Sequence, residues 1–142
     1  FTNHHRGEAR GIGGIFFDHV RPDDAHDLEA IYDWWVDVGE AFLPAFVPIA
    51  ERRLDTPYDE DLRRWQLVRR GRYVEFNLLH DRGTLFGLKT NGRIESILMS
   101  LPPLVRWDYD VVPDPGTREA ELLEVLRSPP NWLGREEEPA DE

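Results

Sequence analysis

Cysteine is the first residue type that this sequence lacks. Without it, the chain has neither a disulfide framework nor a thiolate metal site. Long hydrophobic runs are lacking as well, since no segment approaches the roughly 20 apolar residues that a membrane-spanning helix needs. We therefore expect no membrane span. The cysteine-free composition is compatible with a reducing cytoplasm, where we expect the protein to reside.

A basic excess is also missing. The formal net charge is −11, whereas proteins that bind nucleic acid carry basic stripes or patches. We therefore expect no nucleic-acid partner, and an anionic ligand would need arginines that converge locally against an acidic surface. An initiator methionine is absent too, because the sequence opens at Phe1 in a polar, histidine-rich stretch. We interpret this opening as that of a chain cut from something longer.

The composition that is present is globular. Hydrophobic residues make up 40% of the chain and charged residues 32%, which is unlike the composition of disordered proteins. We expect one domain over residues 1–134. A disordered acidic tail is predicted over residues 135–142, where one arginine faces five acidic residues.

Four helices are predicted from apolar spacing and capping signals. The first covers Asp27–Val38, and a second follows it as far as Arg53. The run Thr56–Asp59 has the cap, proline and acid of a helix start, and Gly71 is predicted to end that third helix. The fourth covers Glu119–Arg127.

Strands are predicted where apolar and polar residues alternate. These are Arg10–Val20, Arg72–His80 and a shorter strand over Thr84–Lys89, whereas Ile94–Leu101 fits either a helix or a strand. The predicted fold class is α+β.

Arginine is the residue type that most suggests a ligand site. Several arginines lie beside glycines or predicted strand ends, where a guanidinium group can form paired hydrogen bonds to a carboxylate: Arg6, Arg10, Arg82, Arg93 and Arg106. Asp81 directly precedes Arg82, and this pair is either structural or placed at the mouth of a cavity. The five histidines are scattered and indicate a metal site only weakly.

Long consecutive motifs resemble the oxygen-dependent coproporphyrinogen III oxidase family, from Phe1 to Leu133 in order. They are HRGEARGIGGIFFD at His5–Asp18, PIAERR at Pro48–Arg53, DTPY at Asp55–Tyr58, QLVRRGRYVEFNL at Gln66–Leu78, DRGTLFGLKTNGRIESILMSLPPLVRW at Asp81–Trp107 and NWL at Asn131–Leu133. The chain is similar to the C-terminal half of that family. The resemblance implies a large antiparallel sheet flanked by helices on both faces, and a homodimer whose contact includes the stretch Tyr73–Asp108.

The resemblance also implies a reaction and a set of residues. The reaction is the oxidative decarboxylation of two propionates of coproporphyrinogen III by molecular oxygen, giving protoporphyrinogen IX in haem biosynthesis, without an organic cofactor. Asp81 and Arg82 match the catalytic pair that holds the pyrrole N–H groups and a propionate. Asn91, Gly92 and Arg93 match a substrate-binding stretch that is usually Gly-Gly-Arg. A divalent metal is an open question in the family, and His5 matches a histidine sometimes assigned to it.

Three interpretations of the isolated chain remain open at this point. It is part of a complete oxidase, a truncated, non-catalytic module for tetrapyrrole binding or dimerisation, or a structural α+β domain that kept the family likeness without the function. The presence of Asp81, Arg82 and Arg93 favours the first two. Because the family's N-terminal half carries further substrate-binding residues, we expect the 142-residue chain alone to be inactive.

Overall fold

A computed structural model describes residues 1–132 and 134 of the chain. They fall into two compact units, one formed by Phe1–Gly13 with Glu60–Glu142 and the other by Gly14–Asp59. The elements in chain order are β1 (Thr2–Asn3), β2 (Glu8–Ala9), α1 (Leu28–Glu40), α2 (Phe42–Arg53), α3 (Glu60–Leu79), α4 (Arg82–Lys89), α5 (Ile94–Leu98) and α6 (Arg118–Arg127).

The predicted α+β fold, with a large antiparallel sheet flanked by helices on both faces, is wrong. Helices account for 51% of the structure, and the one sheet among the described residues is the two-stranded antiparallel pair β1–β2. In this pair Thr2 lies opposite Ala9, and Asn3 lies opposite Glu8. The predicted strand over Arg10–Val20 is also absent, and residues 11–20 are exposed.

Gly71 was predicted to end a helix, but α3 continues through it to Leu79. A Cβ atom at Gly71 would lie 2.6 Å from the backbone carbonyl oxygen of Arg106. The Arg106 N–H donates to the Leu67 carbonyl oxygen at 3.0 Å, which fixes this crossing segment against α3. The glycine therefore permits a close backbone approach inside a helix, a role that a single sequence does not distinguish from a helix stop.

The predicted strands over Arg72–His80 and Thr84–Lys89 are helical as well. In the first, the alternating apolar residues lie on a helix whose buried positions include the neighbours Phe76 and Asn77. A short alternating run does not determine the period, and arginine, leucine and glutamate all favour helices. The second strand is replaced by α4, which begins after the cap residue Asp81.

The first unit has its core where α3 meets the sheet and the other helices. Five apolar side chains are buried there: Val68, Val74, Phe76, Leu123 and Leu126. Helix α3 contacts both β1 and α4, and α6 contacts β2. The short N-terminal hairpin is thereby placed beside the middle of α3, which positions the charged residues described below.

The second unit contains the two consecutive helices that were predicted for it, whereas the strand predicted as far as Val20 is absent. The side chain of Asp27 caps α1 by accepting from the Ala30 N–H at 2.8 Å, and α1 and α2 meet at Ala41. Of residues 14–59, all of which are described, none is buried.

The structure also tests the predictions for Glu119–Arg127 and Ile94–Leu101. The helix over Glu119–Arg127 is confirmed by α6. The open case, Ile94–Leu101, is the short helix α5 over its first five residues. The predicted acidic tail over residues 135–142 lies outside the described residues, so that prediction and the proposed domain boundary stay predictions.

Candidate functional site

Asp81 lies at the start of α4, where its side chain has a structural role. Its Oδ2 accepts from the backbone N–H of Thr84 at 2.7 Å, as expected of a helix N-cap. Hydrogen bonds from the Thr84 backbone and side chain hold the pKa of Asp81 below its ordinary value against the effect of burial, and Arg10 and Arg82 add to this. The carboxylate is therefore ionised at neutral pH and remains partly exposed.

Arg10 follows the β1–β2 hairpin and lies close enough to Asp81 to act on its charge. Its guanidinium carbon lies 4.9 Å from the ring centre of Phe1, 5.4 Å from that of Tyr73 and 4.8 Å from that of Phe76. Attraction between a cation and aromatic faces holds such a side chain in place without using its N–H donors. Arg10 thus provides a positioned cation beside the Asp81 carboxylate.

Arg82 is the first residue of α4 and is exposed. The predicted substrate-binding residues lie at the other end of the same helix. Asn91 adopts a left-handed backbone conformation with φ +56, and Gly92 closes the turn by donating to the Gly87 carbonyl oxygen at 2.9 Å. Arg93 precedes α5 with an exposed side chain.

The two predicted groups are therefore not brought into direct contact. Helix α4 has 8 residues, which corresponds to a length of roughly 12 Å. One small anion does not bridge both ends of such a helix. A ligand with several carboxylates around a wide ring has groups far enough apart to do so.

A network of charged residues beside the hairpin was missed by the sequence reasoning, and Glu75 is its hub. Arg6 makes a paired contact to Glu75, with Nε at 2.9 Å from Oε2 and Nη2 at 2.8 Å from Oε1. Arg72 donates to Oε1 at 2.9 Å. The Glu75 side chain is only 11% exposed, so these donors compensate for the loss of water around its charge.

The electrostatics of Glu75 follow from those contacts. Burial alone would raise its pKa, but hydrogen bonds from Arg6 and His5 and the charges of Arg72 and Arg6 lower the pKa to about 2. The same contact raises the pKa of Arg6, where the hydrogen bond to Glu75 outweighs burial. Glu75 and Arg6 are thus both charged at neutral pH.

Glu8 on β2 forms the second centre of the network. Its Oε1 accepts from Arg69 Nη1 at 2.8 Å and lies 3.9 Å from Arg72 Nε. Asn3 on β1 is fully buried and donates from Nδ2 to the Arg72 carbonyl oxygen at 3.1 Å. Polar contacts therefore tie the hairpin to α3, in addition to the edge-on contact of Phe1 with Phe76.

The sequence contains a pattern that would have indicated these charged residues, but the strand predicted over Arg72–His80 obscured it. Arg69, Arg72 and Glu75 follow one another at three-residue spacing, which places them on one face of a helix. Read as a helix, this stretch would have predicted a charged face, whereas its contact with the Arg6–Arg10 segment is shown only by the fold.

His5 lies within this network. Its Nε2 is 2.7 Å from Glu75 Oε2 and its Nδ1 is 3.3 Å from His80 Nε2, so both ring nitrogens already face polar atoms. No group of three or more histidine or acidic side chains suited to a metal ion is found in residues 1–132 and 134. The described residues therefore do not offer a complete metal centre, and the metal role of His5 stays a prediction.

The stretch Tyr73–Asp108, predicted for dimerisation, runs from the second half of α3 through α4 and α5. Much of it is exposed, including Phe86, Ile94, Met99 and Leu104. Dimerisation itself stays a prediction. Within the part of the chain that the structure describes, no helix combines the length and apolar character needed to cross a membrane.

A comparison with models of protein families identifies the family of this chain. The family model described as coproporphyrinogen III oxidase matches residues 1–132, which include both strands, all six helices, Asp81–Arg82 and Asn91–Arg93. The match covers nearly the whole chain, and the chain belongs to the coproporphyrinogen III oxidase family.

Proposed function

We propose that this chain contributes to the oxygen-dependent form of the enzyme, which oxidatively decarboxylates coproporphyrinogen III to protoporphyrinogen IX. The observation that carries the proposal is the ionised, partly exposed Asp81 carboxylate beside Arg10 and Arg82. An anion next to cations suits a substrate that presents N–H groups at its centre and carboxylates at its rim. Family membership supports coproporphyrinogen as the substrate.

The roles of the residues follow from their chemistry. The Asp81 carboxylate accepts hydrogen bonds from pyrrole N–H groups, and Arg82 pairs with a propionate. Because Arg10 is held by its contacts to aromatic rings, its guanidinium N–H groups have no acceptor among residues 1–132 and 134 and can bind a second carboxylate. Asn91, Gly92 and Arg93 bind the substrate at the far end of α4.

The reaction takes two electrons from each propionate chain. The propionate group loses carbon dioxide and one C–H proton to become a vinyl group. Molecular oxygen accepts the two electrons with two protons, one from the C–H bond and one from the carboxylic acid or from solvent, to become hydrogen peroxide. Electron loss places positive charge on the ring. The ionised Asp81 stabilises that charge electrostatically, and fixed arginines hold the reacting propionate in position.

The remaining features of the proposal are expectations for the working enzyme. They are a homodimer using the Tyr73–Asp108 stretch, a cytoplasmic location, no organic cofactor, and a chain that supplies the C-terminal half of the enzyme. No catalytic step is assigned to a metal.

The test is anaerobic binding of coproporphyrinogen III to the 142-residue chain and to its Asp81→Ala variant. Air is then admitted and protoporphyrin is measured after oxidation. Binding that weakens by about tenfold or more in the variant, as expected for loss of a charged hydrogen-bond acceptor, supports the site. Equal binding by both proteins, or no binding by either, contradicts it.

Measuring turnover separates two interpretations of the chain, as a working part of the oxidase or as a non-catalytic tetrapyrrole-binding module. Binding without protoporphyrin formation favours a tetrapyrrole-binding module that needs the rest of the enzyme for chemistry. Protoporphyrin formation that Asp81→Ala abolishes means that this chain suffices, contrary to our expectation.

A further inference from the structure

A cavity of about 280 Å³ lies on the side of α3 that faces α6 and the β1–β2 hairpin. Its lining includes none of Asp81, Arg82 and residues 91–93, so it is separate from the site described above. Four arginines line it together with three acidic residues: Arg6, Arg69, Arg72, Arg127, Glu8, Asp108 and Asp110. Apolar wall residues come from Trp65, Val68 and Leu123.

Most of these charges already have partners. Arg6 and Arg72 bind Glu75, and Arg69 Nη1 binds Glu8. Asp108 is held by Arg64 at 2.6 Å and by Arg106 at 2.9 Å, both through Nε. These pairs satisfy one another and leave little of their charge for a ligand.

Among residues 1–132 and 134, Arg69 and Arg127 each have side-chain donors without an acceptor. Arg69 Nη2 is buried, and no hydrogen-bond acceptor reaches it among the described residues. Arg127, in the last turn of α6, likewise forms no ion pair within residues 1–132 and 134. A buried guanidinium N–H without an acceptor costs free energy, so it marks a place where an acceptor is missing.

We propose that this cavity binds the carboxylate group of a small organic acid between Arg69 and Arg127. Arg69 is held in place for this role because its Nη1 is bound to Glu8 and its guanidinium carbon lies 5.8 Å from the centre of the Trp65 ring. A carboxylate has two oxygens and therefore accepts from two guanidinium groups at once.

The charges of the cavity favour a monoanion over a dianion. Arg127 has no ion-pair partner among residues 1–132 and 134, and Asp110, which also lines the cavity, has none there either. A phosphate dianion would bring a second negative charge near Asp110, and repulsion between like charges in a partly buried site is costly. We therefore expect acetate to bind more tightly than inorganic phosphate.

The experiment is a titration of the 142-residue chain with sodium acetate, with sodium chloride used to keep the ionic strength constant. The readout is the NMR signals of the arginine side-chain Nε–Hε groups, assigned by single Arg→Lys variants. The result expected is a saturable shift of the Arg69 and Arg127 signals with acetate but not with chloride. No saturable shift with acetate, or tighter binding of phosphate, overturns the proposal.

The decisive variant is Arg127→Gln, which changes an exposed residue at a helix end and leaves the Glu8 and Glu75 pairs intact. Its affinity for acetate is expected to fall by about tenfold or more. The matched control is Arg118→Gln on the same helix, because Arg118 is exposed and does not line the cavity. Equal loss in both variants, or unchanged affinity in Arg127→Gln, overturns the proposal.

The Asp81→Asn variant separates this site from the proposed oxidase site. Acetate affinity is expected to be the same in that variant as in the parent chain, since Asp81 does not line the cavity. A change in acetate affinity in Asp81→Asn, in particular the tighter binding expected when the carboxylate beside Arg10 and Arg82 loses its charge, would mean that the anion occupies the oxidase site instead, which overturns the proposal.

Discussion

In the unit formed by Phe1–Gly13 and Glu60–Glu142, a small apolar core is joined by a buried charge network, whereas residues 14–59 bury no side chain. Both units contain helices with capping aspartates, so local signals do not explain the difference. Helix α3 is held by contacts to residues more than 60 positions away in sequence, as in the Arg69–Glu8 pair. Helix α1 is held by its Asp27 cap and by its neighbour α2.

The difference between the two units indicates where contacts between residues distant in sequence determine the structure. In the first unit, removing one partner leaves a buried charge without compensation, which is costly. In the second unit, the same kind of change affects a solvated group and costs little. Paired substitutions, one in each unit, test this difference directly.

Glu75→Gln is expected to have the largest effect. It leaves Arg6 and Arg72 without their carboxylate and should lower the free energy of unfolding of the first unit by about 3 kcal/mol. Chemical denaturation measures the change. Glu29→Gln on α1 is the control, with an expected change below about 0.5 kcal/mol because Glu29 is exposed. Equal losses would remove the distinction between the units.

The pH dependence of the free energy of unfolding should also reveal the contribution of Glu75. The pKa of Glu75 lies at about 2 in the folded chain and at 4.5 in its ordinary state. A carboxyl group with a lowered pKa stabilises the fold above its unfolded pKa and loses that contribution as the pH falls through the folded pKa. The parent chain should therefore lose about 3 kcal/mol between pH 4.5 and pH 2 that Glu75→Gln does not lose. Parallel pH profiles of the two proteins would show that the network contributes nothing.

Gly71→Ala should destabilise by about 2 kcal/mol, because the added Cβ would lie 2.6 Å from the Arg106 carbonyl oxygen. Gly39→Ala in α1 is the matched change, since a Cβ there meets nothing within 4 Å. Alanine favours helix over glycine, so Gly39→Ala should stabilise by about 0.5–1 kcal/mol. Opposite signs in thermal unfolding are the expected result, and destabilisation by both would contradict the close approach at Gly71.

Asp27→Ala is expected to have the smallest loss, about 1 kcal/mol, because it removes one N-cap hydrogen bond. The effect should be confined to α1, whose amide hydrogens should exchange faster while those of α3 remain unchanged. Faster exchange throughout α3 would mean that the two units do not respond separately.

The same contrast shows how far the sequence alone reaches. The helices of the second unit were predicted well, since α1 and α2 depend on local spacing, although the strand predicted as far as Val20 is absent. In the first unit the alternation over Arg72–His80 predicted a strand, and Gly71 a helix stop. Both predictions are wrong because the structure of this stretch depends on contacts with Arg106 and the hairpin, which the sequence does not reveal. Asp81 and Arg82 were found by resemblance, whereas Glu75 and Arg10 needed the fold to show their partners.

The most direct test of the central claim compares two aspartates with the same structural role. Asp81 and Asp27 each cap a helix, and asparagine retains the capping hydrogen bond while removing the charge. We would measure anaerobic binding of coproporphyrinogen III to Asp81→Asn and Asp27→Asn. The account predicts that Asp81→Asn weakens binding by about tenfold or more, while Asp27→Asn binds as the parent chain does. Equal affinities of the two variants would contradict the assignment of Asp81 to the substrate.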